Sequence, residues 1–124
     1  MNVVDTSGWL AYFANEPNAG HFAPALQTPQ ELIVPTVTVY ELFKVVLRES
    51  GENAALQIVA AMQKGTVADL TPQLAMAAGK LSLKHALPMA DAIMLATAQA
   101  FEAVLWTQDS HFKGIDGVRY IPKP

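Results

Sequence analysis

Asn2-Val3-Val4-Asp5-Thr6-Ser7 is the stretch from which the rest of the chain can be read. Val3 and Val4 are β-branched and contiguous, with no polar alternation, which describes a short strand buried on both faces. Asp5 stands where that strand ends. Ser7 is expected to cap a helix opening at Gly8-Trp9-Leu10, whose free N–H groups favour nearby negative charge. A carboxylate is thereby placed at the C-terminal edge of a central strand, the edge at which open α/β sheets bind ligands. Asp5 reads equally well as a simple helix cap. The carboxylates further along the chain are what weigh against that plainer reading.

The 124 residues suit a single domain spanning 1–124. Hydrophobic residues make up 52% and charged residues 15%, enough for a substantial core and an apolar excess that points to a protein partner. Cysteine is absent, which excludes a disulfide framework, a thiolate metal site and a cysteine nucleophile. His21, His85 and His111 are scattered, without the close spacing of a zinc site. The net charge of -3 argues against a simple electrostatic nucleic-acid binder. It is compatible with an acidic site that uses metal ions to hold phosphate. The first ten residues contain no Lys or Arg, and Asp5 interrupts the first apolar run, so no secretory leader is expected. No segment approaches the roughly 20 apolar residues of a membrane span. A soluble, cytoplasmic protein with no membrane partner is the expectation.

Strand and helix signals alternate along the chain. Helices are expected over 8–14 and 19–27, with breaks at Glu16-Pro17-Asn18 and Thr28-Pro29-Gln30. Glu31-Leu32-Ile33-Val34 reads as a second apolar strand, stopped by Pro35. Thr36 or Thr38 then opens a longer helix to about Ser50, with Gly51 as its stop. Another helix covers 52–64, and 66–70 is a third strand. Thr71-Pro72 is a helix start, a capping residue followed by proline at the first helical position, and that helix runs to about Ala86. A helix over 89–101, a strand at Val104-Leu105-Trp106 and a strand at Arg119-Tyr120-Ile121 complete the reading. Short strands alternating with helices predict a parallel sheet of about five strands covered on both faces, a three-layer α/β/α domain.

Four carboxylates stand out against this frame. In the 36–50 helix, Val39, Leu42, Phe43, Val46 and Leu47 form an apolar stripe, and Glu41 lies off it with Thr38, Lys44 and Arg48. A solvated face with a Glu41–Lys44 ion pair is the plain alternative there. The 89–101 helix has almost no polar face, so Asp91, the only charge between His85 and Glu102, is expected to be buried. A buried carboxylate is costly unless paired or holding a metal, although a first-turn Asp also complements the helix dipole. Leu105-Trp106-Thr107-Gln108-Asp109 repeats the opening pattern of strand, hydroxyl residue and aspartate, and an ordinary strand-end turn is its alternative. Asp116, between Gly114 and Gly117, reads as a turn residue. Acids spread over strand ends and helix starts, with no His or Cys cluster, suit a hard divalent cation that binds oxygen and substrate phosphate. Such a cation polarises a phosphodiester and lowers the pKa of a bound water.

Val-Val-Asp-Thr-Ser at the N-terminus, Val-Tyr-Glu-Leu, Pro-Met-Ala-Asp-Ala-Ile-Met-Leu-Ala-Thr-Ala and Leu-Trp-Thr-Gln-Asp-Ser-His-Phe together resemble a PIN-domain protein. More narrowly, the chain resembles the VapC-like toxins of type II toxin–antitoxin pairs, over its whole length and in the same order. The resemblance implies a Mg²⁺- or Mn²⁺-dependent endoribonuclease built on a parallel sheet. It places the acidic site on Asp5, Glu41, Asp91 and Asp109, and a hydroxyl position beside the last acid on Thr107. Some members carry a further acid shortly after the fourth position; here Ser110, His111 and Phe112 follow instead.

On this reading Asp5, Asp91 and Asp109 hold the metal, Glu41 completes the cluster and orients the attacking water, and Thr107 hydrogen-bonds an aspartate or a metal-bound water. Only oxygen donors are expected at the metal. Lys44, Arg48, Lys80, Lys84, His111 and Lys113 are the groups available to an RNA backbone. The expected partners are an RNA substrate, a cognate antitoxin and a second copy of the chain, with helices 36–50 and 71–86 as dimer contacts. Two rivals remain. An aspartyl phosphotransferase would use Asp5 as nucleophile, but the second aspartate usual two residues on is Ser7 here. A catalytically inactive PIN-like interaction module would not need all four acids.

Overall fold

Each apolar run expected to be a strand becomes one, and none is longer than four residues. A computed structural model describes all 124 residues. The elements follow in the order β1 (Asn2–Val4), α1 (Thr6–Phe13), α2 (Ala19–Leu26), β2 (Ile33–Pro35), α3 (Thr36–Ser50) and α4 (Glu52–Met62). β3 (Thr66–Ala68), α5 (Pro72–His85), α6 (Met89–Ala100), β4 (Val104–Thr107) and β5 (Val118–Tyr120) complete the chain.

All strand pairs are parallel, but the five strands do not form one continuous ladder. β1, β4 and β5 make a three-stranded sheet in the order β1-β4-β5, and β2 pairs with β3 alone. A single parallel bridge between Asn2 and Leu32 is where the two meet. The expectation of an unbroken five-stranded sheet is corrected in this respect. The strand foreseen at 31–34 is displaced because Pro29 starts a 3-10 turn, Pro29–Glu31, that absorbs Glu31. Pro35, which lacks an N–H, ends the strand, and α3 follows at once. Only Ile33–Pro35 remain to pair, and they pair with Thr66–Ala68.

The three layers follow from side-chain alternation along these short strands. Val3, Ile33 and Leu105 share one core with Ala92, Leu95 and Ala96 of α6 and Ala78 of α5. Val4, Leu32, Val34 and Trp106 face the other way, into a second core with Trp9 and Ala11 of α1, Phe22 of α2, Leu42 of α3 and Met62 of α4. Full burial of the Val, Leu, Ile, Phe and Met side chains among these contributes roughly 1.5–3 kcal/mol each. The expectation that α6 is buried on most sides holds: Ala92 through Ala98 are all buried. Thr97, the polar member of that run, donates its hydroxyl to the Ile93 carbonyl at 2.8 Å.

Helix boundaries differ from expectation in two instructive places. α1 begins at Thr6, and its cap is Asp5 rather than Ser7, with the Asp5 side chain accepting from Gly8 N–H. In α3 the buried stripe is Thr38, Leu42 and Val46, while Leu47 is 40% exposed. Thr38 therefore lies in the core and not on a polar face with Glu41. Thr71 caps α5 as expected, accepting from Leu74 N–H at 3.2 Å. α5 ends at Ala86, which adopts a left-handed conformation with φ 54°. No helix is long and apolar enough to cross a membrane.

Gly8 shows how tightly α1 is seated on the sheet. A Cβ there would lie 2.6 Å from Val4 Cγ1 and 2.8 Å from the Phe22 ring. Alanine would gain up to about 1 kcal/mol of helix propensity but would overpack a closed core. We expect Gly8→Ala to destabilise the protein by about 1–3 kcal/mol net, read as a lower denaturation midpoint in urea with an unchanged slope. A midpoint equal to or above that of the parent would show that α1 can shift away from β1 at no cost.

Candidate functional site

Parallel strands pointing the same way bring their C-terminal ends to one edge of the sheet. β1 is flanked by β4 on one side and approached by β2 on the other, so consecutive chain segments diverge from it there. A crevice outside the strand ends is expected at such a switch point. Asp5 follows β1 directly, and Thr107 and Asp109 close and follow β4.

Asp5 is 2% exposed, and three donors satisfy its carboxylate. Oδ1 accepts from Gly8 N–H at 2.9 Å and from the Ser7 hydroxyl at 2.7 Å. Oδ2 accepts from the Thr107 hydroxyl at 2.5 Å. Both readings of Asp5 are thus realised in one residue: it caps α1, and it faces the other acids. Burial pushes its pKa up to about 6, against the downward pull of the Thr107, Ser7 and Gly8 hydrogen bonds, and the charge of Asp91 raises it further.

Glu41 is half-buried on α3, and its Oε1 accepts from the Thr6 hydroxyl at 2.6 Å. The anticipated alternative, an ion pair with Lys44, does not form. Lys44 Nζ lies 3.4 Å from the Tyr40 hydroxyl, and Arg48 pairs with Glu49 at 3.3 Å. Asp91 occupies the first turn of α6, with its side chain only 16% exposed. Its pKa is raised, first by burial and then by the charge of Asp109; His111 pulls it back down, and Glu41 raises it again. Asp109 caps a 3-10 turn, Ser110–Phe112, accepting from His111 N–H at 2.9 Å. The Thr107 hydroxyl accepts from Asp109 N–H at 2.9 Å while donating to Asp5, so one side chain spaces two of the acids. Asp5, Glu41, Asp91 and Asp109 therefore come together from four separate elements. Asp116 remains apart, exposed in the turn between Gly114 and Gly117, both with φ 81°.

One group at this edge was not among the metal-ligand candidates. His111 Nδ1 lies 3.1 Å from Asp91 Oδ2 and 3.2 Å from Asp109 Oδ1. One donor atom from each of Asp91, Asp109 and His111 falls within 4.8 Å of the other two. A ring nitrogen therefore stands beside the carboxylate oxygens at this edge. Spacing between histidines carried no signal, because His111 meets its partners through the fold; its position two residues after Asp109 was the available clue.

The model of the PIN domain matches residues 3–118. The chain belongs to the PIN-domain family. Among solved structures, this PIN domain is similar to a toxin–antitoxin complex from Klebsiella pneumoniae, with a TM-score of 0.82, 22% identity and 96% of each chain covered. It is also similar to VapC20 of Mycobacterium tuberculosis, described as a sarcin-ricin loop cleaving toxin, with a TM-score of 0.76 and 19% identity over 94% of this chain and 95% of that one. A third is the DNA-bound VapBC of Salmonella typhimurium, at a TM-score of 0.75 and 16% identity over 98% and 96%. At these identities the likeness is one of fold. No curated protein sequence matches the chain.

The burial of Asp5 makes the stability of this PIN domain depend on pH in a defined direction. From the usual value of 3.8 up to about 6, the folded state keeps a proton that the unfolded chain has released. Stability from this group is therefore highest below the unfolded value, falls as pH rises through that window, and stays lower above it. A shift of that size corresponds to on the order of 3 kcal/mol. Asn can still cap Gly8 N–H, so Asp5→Asn is expected to gain stability relative to the parent as pH is raised from 4 to 6. Urea titrations in chelator across that range check it. A constant difference between the two proteins would place the proton uptake elsewhere.

Proposed function

We propose that the protein is a divalent-metal-dependent endoribonuclease, the toxin of a type II toxin–antitoxin pair, acting in the cytoplasm as a single PIN-like domain. The observation that carries this reading is that Asp5, Glu41, Asp91 and Asp109 lie at the switch point of the sheet, with Asp91 and Asp109 within 3.2 Å of the same His111 nitrogen and the charges of Asp109 and Glu41 raising the Asp91 pKa. Like charges held that close, in a partly desolvated place, fit a cation. A donor set dominated by carboxylates suits Mg²⁺ or Mn²⁺. Membership of the PIN family and the toxin–antitoxin proteins among the structural neighbours support the same reading.

In this proposal Asp5, Asp91 and Asp109 hold the metal. A divalent ion there supplies Lewis acidity at a phosphodiester oxygen and eases deprotonation of water. Glu41, fixed by Thr6, orients the attacking water. Thr107 holds Asp5 Oδ2 in place and spaces Asp109 from it. Cleavage of RNA by the pure protein is expected with Mg²⁺ or Mn²⁺ and not in excess EDTA; cleavage that persists in chelator overturns the metal-site reading. Asp91→Asn removes one charge at nearly constant shape, so it should abolish cleavage and leave the metal-free protein at least as stable at neutral pH. Mg²⁺ should raise the melting temperature of the parent more than that of the variant, since binding to the native state adds stability by mass action. A variant that melts lower in EDTA and still cleaves RNA returns Asp91 to a scaffold role.

Two protein partners belong to this proposal. A cognate antitoxin would reach the acidic crevice with a basic side chain, for which an arginine's planar fork suits carboxylates best. A homodimer would use α3 and α5. On α5, Met76 is 65% and Leu83 89% exposed, and Met89, at the start of α6, is 75% exposed. A cleft of about 330 Å³ lies between α5 and α6, lined by Leu70, Ala75, Ala78, Met89 and Ile93. Light scattering is expected to give the mass of two chains, and Leu83→Lys to shift it towards one. A strict monomer for the parent at working concentration removes the dimer.

A further inference from the structure

We propose that His111 is a nitrogen ligand of the metal site and that it biases the site towards Mn²⁺ over Mg²⁺. This inference rests on the acidic crevice being a metal site, as proposed above, and adds to it a donor of a different kind. Ligands on neighbouring positions of one six-coordinate ion, each at about 2.1 Å, stand about 3 Å apart. His111 Nδ1 stands 3.1 Å from Asp91 Oδ2 and 3.2 Å from Asp109 Oδ1. Nδ1 thus stands from both carboxylate oxygens at the separation of neighbouring ligands on one ion.

The backbone around His111 holds that placement. Its N–H donates to Asp109 Oδ1, the same oxygen its ring approaches. Phe112, the next residue, is completely buried in the core that contains Leu105 and the α6 alanines. Phe112 N–H bonds to the Asp109 carbonyl at 3.2 Å. The imidazole is therefore carried on a tight turn pinned at both ends, one at an acid of the site and one in the core. The ring itself is 53% exposed, so this position is not a core histidine whose nitrogens merely need partners.

The consequence is one of selectivity. Carboxylate and water suit Mg²⁺ and Mn²⁺ alike, whereas imidazole suits the later first-row ions and adds little for Mg²⁺. A set of two carboxylates and one imidazole should bind Mn²⁺ well above Mg²⁺, with Co²⁺ above Mn²⁺.

Pulsed electron paramagnetic resonance of the Mn²⁺-loaded protein tests this directly. A hyperfine coupling to a directly bound ¹⁴N is expected in the parent and absent in His111→Ala and His111→Gln. Isothermal titration should show Mn²⁺ affinity falling about tenfold in either variant, with Mg²⁺ affinity changing less than twofold. No nitrogen coupling in the parent overturns the proposal without requiring any variant to fold. So does a coupling that survives in both variants, which would come from His21 or His85. A rise in affinity for both metals on removing His111 also overturns it, since the ring would then be only a stand-in for the cation. Asp91→Asn separates the two readings. Mn²⁺ binding that depends on Asp91 but carries no nitrogen coupling overturns only the role of His111; no Mn²⁺ binding at all overturns both.

Discussion

The hydrogen bond from the Thr107 hydroxyl to Asp5 Oδ2 spans 102 residues of chain and ties the end of β4 to the end of β1. Much of the site's geometry depends on it. The other oxygen of the same carboxylate caps α1 through Gly8 N–H, which sets the direction in which that helix leaves the sheet. Thr6, in the first turn of α1, then meets Glu41 on α3. On the other side, the Thr107 oxygen receives Asp109 N–H, which seats the fourth acid and the turn carrying His111. A single buried carboxylate thus relates three of the site's elements, and the requirement that it be fully hydrogen-bonded orients each of them.

That arrangement has an energetic cost that locates it. A carboxylate desolvated to this degree is stable as an anion only because several donors face it, and here the donors do not fully offset burial, since the pKa remains raised to about 6. Asp91 shows the same imbalance, with two further acids adding to it and His111 alone reducing it. A scaffold optimised for stability would not collect negative charge this way, because each acid could be replaced by a neutral residue of the same shape. Residues whose local environment works against the fold are the ones to connect with function.

Much of this was legible in the sequence, and the parts that were not share a reason. Val3-Val4 and the polar-poor run of α6 announce their burial through composition alone, because a segment without a polar face has only one place to go. Asp5, Asp91 and Asp109 could be placed because strand ends and first helical turns are marked by punctuation in the chain. The break between the two sheets was not legible, since strands of three residues carry no register signal. Ser7 was expected to cap α1 because serine and aspartate cap equally well; the competition was decided by Thr107, which draws Asp5 inward from the far end of the chain. Thr38 was assigned to the polar face because its hydroxyl counted against burial, whereas the 38-42-46 spacing puts it on the buried stripe. His111 meets Asp91 across a contact between α6 and the turn after β4, which no local pattern encodes.

The placement of the site relative to the two cores explains why it needs the whole fold. Glu41 is carried by a helix that packs on the core of Val4, Trp9 and Leu42, whereas Asp91 is carried by α6, which fills the core of Val3, Leu95 and Leu105. α3 and α6 also touch each other, and Val37 of α3 reaches the α6 core while Val39 packs against the other. The acids therefore meet at the seam where the two layers join beyond the strand ends. A change of packing in either core displaces one acid with respect to the others. The repulsion that raises the Asp91 pKa is then felt across that seam, because Asp109 comes from the end of β4 and Glu41 from α3, so neither layer relieves it alone.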